Sequence, residues 1–172
     1  MTQRTVETPF MQQLGEVLDA EHNLLAAQQE LLAQVQDGRL QALLEQHSRE
    51  TEQHIARLEQ AGALLGQPIT RHSTAQTMAF VQDARDALRQ AVPGAAAGDR
   101  GIAAAALGAE EWEIARYRPL VSTAEEVGNA EVRHLLHINL QEEEQTAHML
   151  REQMLRLSGT AEDADTLRSA PL

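Results

Sequence analysis

From Leu14 onward the apolar positions return every third or fourth residue: Leu14, Val17/Leu18, Leu24/Leu25, Leu31/Leu32 and Val35. That rhythm is one face of an α-helix. The helix is expected over about residues 8–35, with Thr8 capping and Pro9 in the first turn. Glu21 and Gln28 fall in the same stripe as the leucines, so a carboxylate is aimed at a core. Gln36-Asp37-Gly38 closes the helix, with Gly38 as its C′ residue. A second helix, about 40–65, turns Leu40, Leu44, His47, Thr51, His54, Leu58 and Leu65 inward. Glu50 lies at the edge of that face, about 75° from its centre. So short a turn makes the two helices an antiparallel hairpin.

Gly66-Gln67-Pro68 ends the hairpin, and residues 66–98 form a crossover. Within it Ser73–Ala91 reads as a weaker helix, with Met78, Val81, Ala84/Arg85 and Leu88 on one side and Val92-Pro93-Gly94 as its stop. The strong periodicity resumes over about 99–127, where Ala106, Glu110, Glu113, Tyr117, Leu120/Val121 and Ala124 share a seam and Pro119 introduces a kink. Gly128-Asn129 turns the chain into a last helix, about 130–158, with Leu136, Leu140, Glu143, Ala147, Leu150, Met154 and Leu157 inward. Glu142 and Glu144 sit about 90–110° to either side of Glu143, off the seam. Residues 159–172 read as a polar, disordered tail behind a single domain spanning 1–158.

A shift of 92 residues, the distance from Glu21 to Glu113, lays the second hairpin on the first without a gap. It also pairs Leu44 with Leu136, Thr51 with Glu143 and Leu58 with Leu150. Two hairpins joined by a long crossover predict an all-α, ferritin-like four-helix bundle.

Composition narrows the chemistry. The chain has 172 residues, 42% apolar and 23% charged, and lacks cysteine, which excludes thiol catalysis, disulfides and sulfur-ligated metals. A net charge of −12 with no basic cluster argues against nucleic acid and anionic membranes. No apolar run is long enough to span a bilayer and the first residues carry no signal-peptide pattern, so a cytoplasmic protein is expected.

The seams then raise a question of charge. Counting outward from the two turns puts Glu21, His54, Glu113 and Glu143 within about one helical turn of one another, with Glu110 one turn further along. Four carboxylates in a dry bundle repel strongly unless cations or protons compensate them. Two divalent metals would do so, and a carboxylate-rich set with one imidazole suits iron first and manganese second. Glu21, His54, Glu110, Glu113 and Glu143 are therefore the expected ligands. His47 counts to the height of Gln28 and is placed behind them, together with Glu50, Thr51, Tyr117 and Glu142. Di-iron bundles carry Glu-x-x-His on two helices. Here Thr51 stands at the helix-two Glu position and Thr146 at the second His position. The one literal Glu-x-x-His, Glu131 to His134, points away from the seam, as do His137 and His148.

Four motifs in register carry a family resemblance: Asp19-Ala20-Glu21-His22; His47-x-x-x-Thr51 followed by Arg57-Leu58-Glu59; Glu110-x-x-Glu113-Ile114-Ala115-x-Tyr117; and Leu140-x-Glu142-Glu143. Over about residues 8–158 the chain resembles the YciE/YciF-like group of ferritin-like bacterial proteins. The resemblance implies a stress-associated, dimeric di-metal bundle; position 111 is Glu where that group usually has His. Trp112, on the outer face, is assigned to the subunit contact in preference to cover by the crossover. The function expected is a di-metal carboxylate protein reacting with oxygen or peroxide, its status as an enzyme open. Two alternatives stand beside it: a helical stress protein whose inner polar groups set register without metal, and a metal buffer without turnover.

Overall fold

The computed structural model describes the backbone of residues 3–90 and 96–168. Along them run α1 (Gln3–Leu32), α2 (Gly38–Leu64), α3 (Ala75–Gln90), α4 (Ala96–Glu126) and α5 (Ala130–Arg168), with no strand among the described residues. α1 and α5 each pack on both α2 and α4, so α1 faces α5 across one diagonal of a four-helix bundle and α2 faces α4 across the other. α3 lies over α1 and α4. This is the all-α, ferritin-like arrangement that the paired hairpins predict.

Several element ends differ from the periodic reading. α1 is already wound at Gln3 and carries Pro9 inside it, so Thr8 is not its cap. Nothing between Gln3 and Thr8 breaks a helix, and Pro9 removes only one amide hydrogen bond near the helix start. Gly38 opens α2 and does not terminate α1. Its neighbour Asp37 is the cap: Oδ1 accepts from the amides of Arg39 at 3.0 Å and Leu40 at 2.9 Å. α5 continues through Gly159 to Arg168, where a disordered tail was expected, and Gly159 lacks the left-handed backbone of a helix stop. Residues 169–172 and the Val92-Pro93-Gly94 stop lie outside the described residues.

Two glycines do end helices. Gly66 (φ 81°) and Gly128 (φ 73°) adopt the left-handed conformation. The amide of Gly128 bonds to Glu125 O and that of Asn129 to Ala124 O, with the equivalent pair at Gly66 and Gln67. These are Schellman closures, which need a residue free of Cβ strain at C′.

The crossover is anchored at two points. Before α3 the chain runs across α1 at Gly15, whose carbonyl accepts from His72 N at 3.0 Å. Buried Asp19 then accepts from Arg71 Nε at 2.9 Å and Ser73 Oγ at 2.5 Å. α3 buries Thr77 and Val81, whereas Met78, expected on its inner side, is 62% exposed. Phe80 of α3 stacks on Trp112 at 4.8 Å and Arg116 covers the indole at 4.1 Å. The crossover thus takes the Trp112 face that the sequence assigned to a subunit contact. Apolar chemistry explains the choice, because Phe80 offers a flat ring partner within the same chain.

Inside the bundle the apolar core is in two main parts. One surrounds Phe10, Leu14, Leu58, Leu120 and Leu136; the other surrounds Leu31, Leu40, Leu44, Ile102 and Leu150. Between them lies a polar layer.

Candidate metal centre

All four bundle helices supply that layer. Glu21 comes from α1; His47, Thr51 and His54 from α2; Glu110, Glu113 and Tyr117 from α4; Asn139, Glu143 and Thr146 from α5. Each is 2% exposed or less. The 4,3,4 spacings that bury leucines above and below bury these polar groups in turn.

The donor atoms fall into two groups that share a residue. Glu21, His54 and Glu143 can bring one atom each within 4.8 Å of one another, and so can His47, Glu110, Glu113 and Glu143. His54 Nδ1 lies 2.9 Å from Glu143 Oε1 and 3.5 Å from Glu21 Oε1. On the other side His47 Nε2 lies 3.0 Å from Glu110 Oε1 and 3.8 Å from Glu143 Oε2. The two oxygens of Glu143 therefore face the two groups separately.

These contacts are close without being hydrogen bonds. Eight buried side-chain nitrogen and oxygen atoms among the described residues have no hydrogen bond, and seven belong to this layer: Glu21 Oε2, His47 Nε2, His54 Nδ1, Glu110 Oε2, Glu113 Oε1 and both oxygens of Glu143. Buried polar atoms are ordinarily paired. Concentrating the exceptions at one point, with imidazole and carboxylate lone pairs converging, is what a cation site requires. The 2.9–3.0 Å approaches match the spacing of about 3 Å between adjacent donors that each lie about 2.1 Å from one ion. Four carboxylates carry −4, which two divalent ions would balance. The buried His/Glu group can hold metal, and its donor chemistry fits.

The imidazoles are oriented from behind. His54 Nε2 is 2.9 Å from Glu142 Oε2, and Arg57 Nη1 donates to the same oxygen at 2.6 Å. The hydrogen bond to His54 and the Arg57 guanidinium hold the Glu142 carboxyl down at about 2, against the opposing pull of burial. An ionised Glu142 places the neutral ring's proton on Nε2 and leaves Nδ1 free for the layer. His47 Nδ1 has Thr146 Oγ1 at 3.4 Å and Glu50 Oε2 at 3.8 Å, which leaves Nε2 facing Glu110. Tyr117 donates to Glu21 Oε1, and Asn139 Nδ2 donates to the Tyr117 hydroxyl at 3.0 Å. Asn139 Oδ1 accepts from Arg57 at 2.9 Å, which links this chain to the one behind His54.

Without a cation, protons carry the compensation. Burial pushes the Glu113 carboxyl well up, reinforced by the charges of Glu143, Glu21 and Glu110. Burial and the Glu110 charge raise Glu143 to about 7. For both histidines burial favours the neutral ring, yet the surrounding carboxylates, Glu110 beside His47 and Glu21 beside His54, win and raise them well above the ordinary value. Burial and the Glu21 charge push the Tyr117 hydroxyl well up, so it stays a donor.

The structure brings together Glu21, His54, Glu110, Glu113 and Glu143 as the seams predict. His47 lies among these donors: its Nε2 is 3.0 Å from Glu110 Oε1, nearer the carboxylates than heights counted from the hairpin turn place it. Heights measured from a turn relate only the two helices of that hairpin, and His47 meets Glu110 across the α2–α4 diagonal. Gln28 does lie near it, but is bonded to Thr51 (Nε2 to Oγ1, 3.4 Å), which fills the helix-two Glu position. Glu50 and Glu142 flank the imidazoles. Asn139 is a further buried polar residue of the layer, and the 92-residue shift places it opposite His47, an inward polar slot. His134 and His148 are exposed and His137 is half-buried, away from the layer.

Comparison with known proteins agrees with this architecture. The crystal structure of the stress protein YciF of E. coli matches with a TM-score of 0.83 and 25% identity, over 92% of this chain and 99% of that one. YcfI of Rhodopseudomonas palustris matches with a TM-score of 0.80 and 27% identity, over 85% and 92%. Dps of Thermosynechococcus elongatus shares the fold at 14% identity, with a TM-score of 0.67 over 88% and 94%. No curated protein sequence matches. A family model described as a domain of unknown function, DUF892, matches residues 5–163. The chain accordingly belongs to the DUF892 family, the YciF-like ferritin-like bundles.

Proposed function

We propose that this protein is a di-metal carboxylate protein of a stress response, holding two divalent ions, iron in preference to manganese, and reacting with dioxygen or peroxide. Glu21, His54 and Glu143 would hold one ion, and His47, Glu110, Glu113 and Glu143 the other. The observation that carries the proposal is the convergence of seven buried, unbonded donor atoms on one layer. Bound redox-active ions would supply electrons to the oxidant. The chain's own part is to orient His54 through Glu142 and Arg57, to donate from Tyr117 to Glu21, and to exclude water with the apolar layers on either side. The likeness to a protein described as a stress protein supports the biological setting. A cytoplasmic location and a homodimer complete the proposal; sedimentation tests the second.

A second reading has its own observation. The upward shifts of Glu113, Glu143, His47 and His54 allow two protonated acids and two imidazoliums to neutralise the layer, leaving it a register-setting device without metal. Metal analysis decides between them. Wild type incubated anaerobically with Fe(II) and desalted should retain about two ions per chain, Glu113→Ala fewer, and Glu143→Ala least because both groups use it. Trace metal in wild type, or equal retention in all three, rejects the metal reading.

A further inference from the structure

The oxidant's identity can be narrowed, given the metal reading above, by a cavity that opens beside the His47–Glu110 side of the layer. About 20 Å³ of space lies between α1, α2 and α4. Its walls are Leu24, Leu31, Leu44, Ala105, Ala106 and Ala109. At its inner end stand Gln28, His47 and Glu110. His47 Nε2 and Glu110 Oε2, both buried, have no hydrogen-bond partner there. On the Glu21/His54 side, by contrast, Tyr117 and Asn139 fill the space beside the donors.

We infer that this cavity is a pocket for a small apolar molecule, dioxygen, delivered to the His47–Glu110 side of the layer in preference to hydrogen peroxide. Size permits it: one water needs roughly 10–15 Å³ by the same measure, and about 20 Å³ leaves the added length that a diatomic molecule needs. Polarity selects it. The walls are aliphatic, and the Gln28 amide is already engaged, donating to Thr51 Oγ1 at 3.4 Å and accepting from Ser48 Oγ at 3.2 Å. With His47 and Glu110 engaged by a bound ion, hydrogen peroxide would surrender its hydrogen bonds to water with nothing in the aliphatic walls to replace them, a cost that dioxygen does not carry. Ala105 is half-buried at the rim. A larger side chain there would reduce the cavity from a position that is not itself one of the donors.

The first test needs no metal. Methyl NMR spectra of the metal-free full chain under dioxygen are compared with spectra under argon. The paramagnetic gas should broaden Leu24, Leu44 and Ala109 several-fold more than Leu58 and Leu136 of the other core, and Ala105→Leu should remove the excess. Ala105→Val, a smaller intrusion, gives an intermediate effect. Uniform broadening, or an excess that survives both substitutions, overturns the pocket. The second test uses Fe(II)-loaded protein. Ala105→Leu should leave iron stoichiometry unchanged, slow oxidation by dioxygen at least tenfold, and leave oxidation by hydrogen peroxide within twofold. Equal slowing of both, or of neither, overturns the choice of oxidant. If wild type binds no iron, the metal reading and the oxidant claim fail together, while the gas measurement still decides the pocket.

Discussion

Glu143 and Tyr117 show how single residues set the character of the layer. Glu143 presents one oxygen to each donor group, so its loss affects both, whereas Glu113 belongs to one. Tyr117 holds Glu21 and is held by Asn139, with every partner buried. Tyr117→Phe keeps the ring and leaves Glu21 Oε1 without its hydrogen bond, while Asn139 Nδ2 keeps only its bond to His54 O at 3.3 Å. The expected cost in the metal-free protein is about 1–3 kcal/mol, read as a lower urea midpoint with unchanged slope. An unchanged midpoint would show that the hydroxyl contributes no net stability. Both residues were legible in the sequence, because a polar side chain in a 3.6-period stripe identifies itself. His47 was legible as inward but not as a donor, since its partner Glu110 is 63 positions away on a diagonal helix.

At the scale of elements, two contacts hold the connections in place. The Asp99 carboxylate in the first turn of α4 accepts from the amides of Gln36 at 2.9 Å and Asp37 at 2.8 Å. It ties the α1–α2 turn to the start of α4. Asp99→Ala strands two amides and should cost about 2–3 kcal/mol, with faster hydrogen exchange at residues 36 and 37 than at the core of α2. At Gly15 a Cβ would stand 2.3 Å from Thr70 O, a backbone atom with little room to move. Gly15→Ala should therefore destabilise by about 1–3 kcal/mol, lowering the Tm by about 2–4 °C per kcal/mol; no change in Tm would mean that the crossover segment shifts freely. Neither contact was legible beforehand. Asp99 marked a helix start, and Gly15 looked like one more residue of a helix.

For the whole molecule, the layer couples stability to pH. Glu143 is raised to about 7, so without metal its contribution falls as pH rises from about 4.5 towards 7. His47 and His54 are also raised; the stability they add is full below about 6.5 and lost as pH climbs through their folded values. The two effects share a sign. Metal-free protein should be more stable near pH 5.5 than at pH 8. Metal binding needs the carboxylates ionised and the imidazoles neutral, so the stability added by bound metal grows with pH over the same range. Urea unfolding at both pH values, with and without Fe(II), checks this; parallel pH profiles with and without metal would show that these groups do not ligate. Glu110, pulled down by the His47 charge against the effect of burial, and Glu142, at about 2, act oppositely and weaken the fold only in stronger acid.

By itself the sequence determined the helical class, the two hairpins and crossover, and the inward set Glu21, His54, Glu110, Glu113 and Glu143. All of these follow from a local period, because a helix places residues three and four apart on one face whatever it packs against. Tertiary structure alone decided what those faces meet. Only packing set His47 against Glu110, turned the Glu142 carboxylate to the back of His54, covered Trp112 with Phe80 and left a cavity beside the layer. Each of these depends on the separation and rotation of helices distant in the chain. Helical periodicity fixes the direction of a side chain about its own axis and carries no information about the neighbour across the bundle.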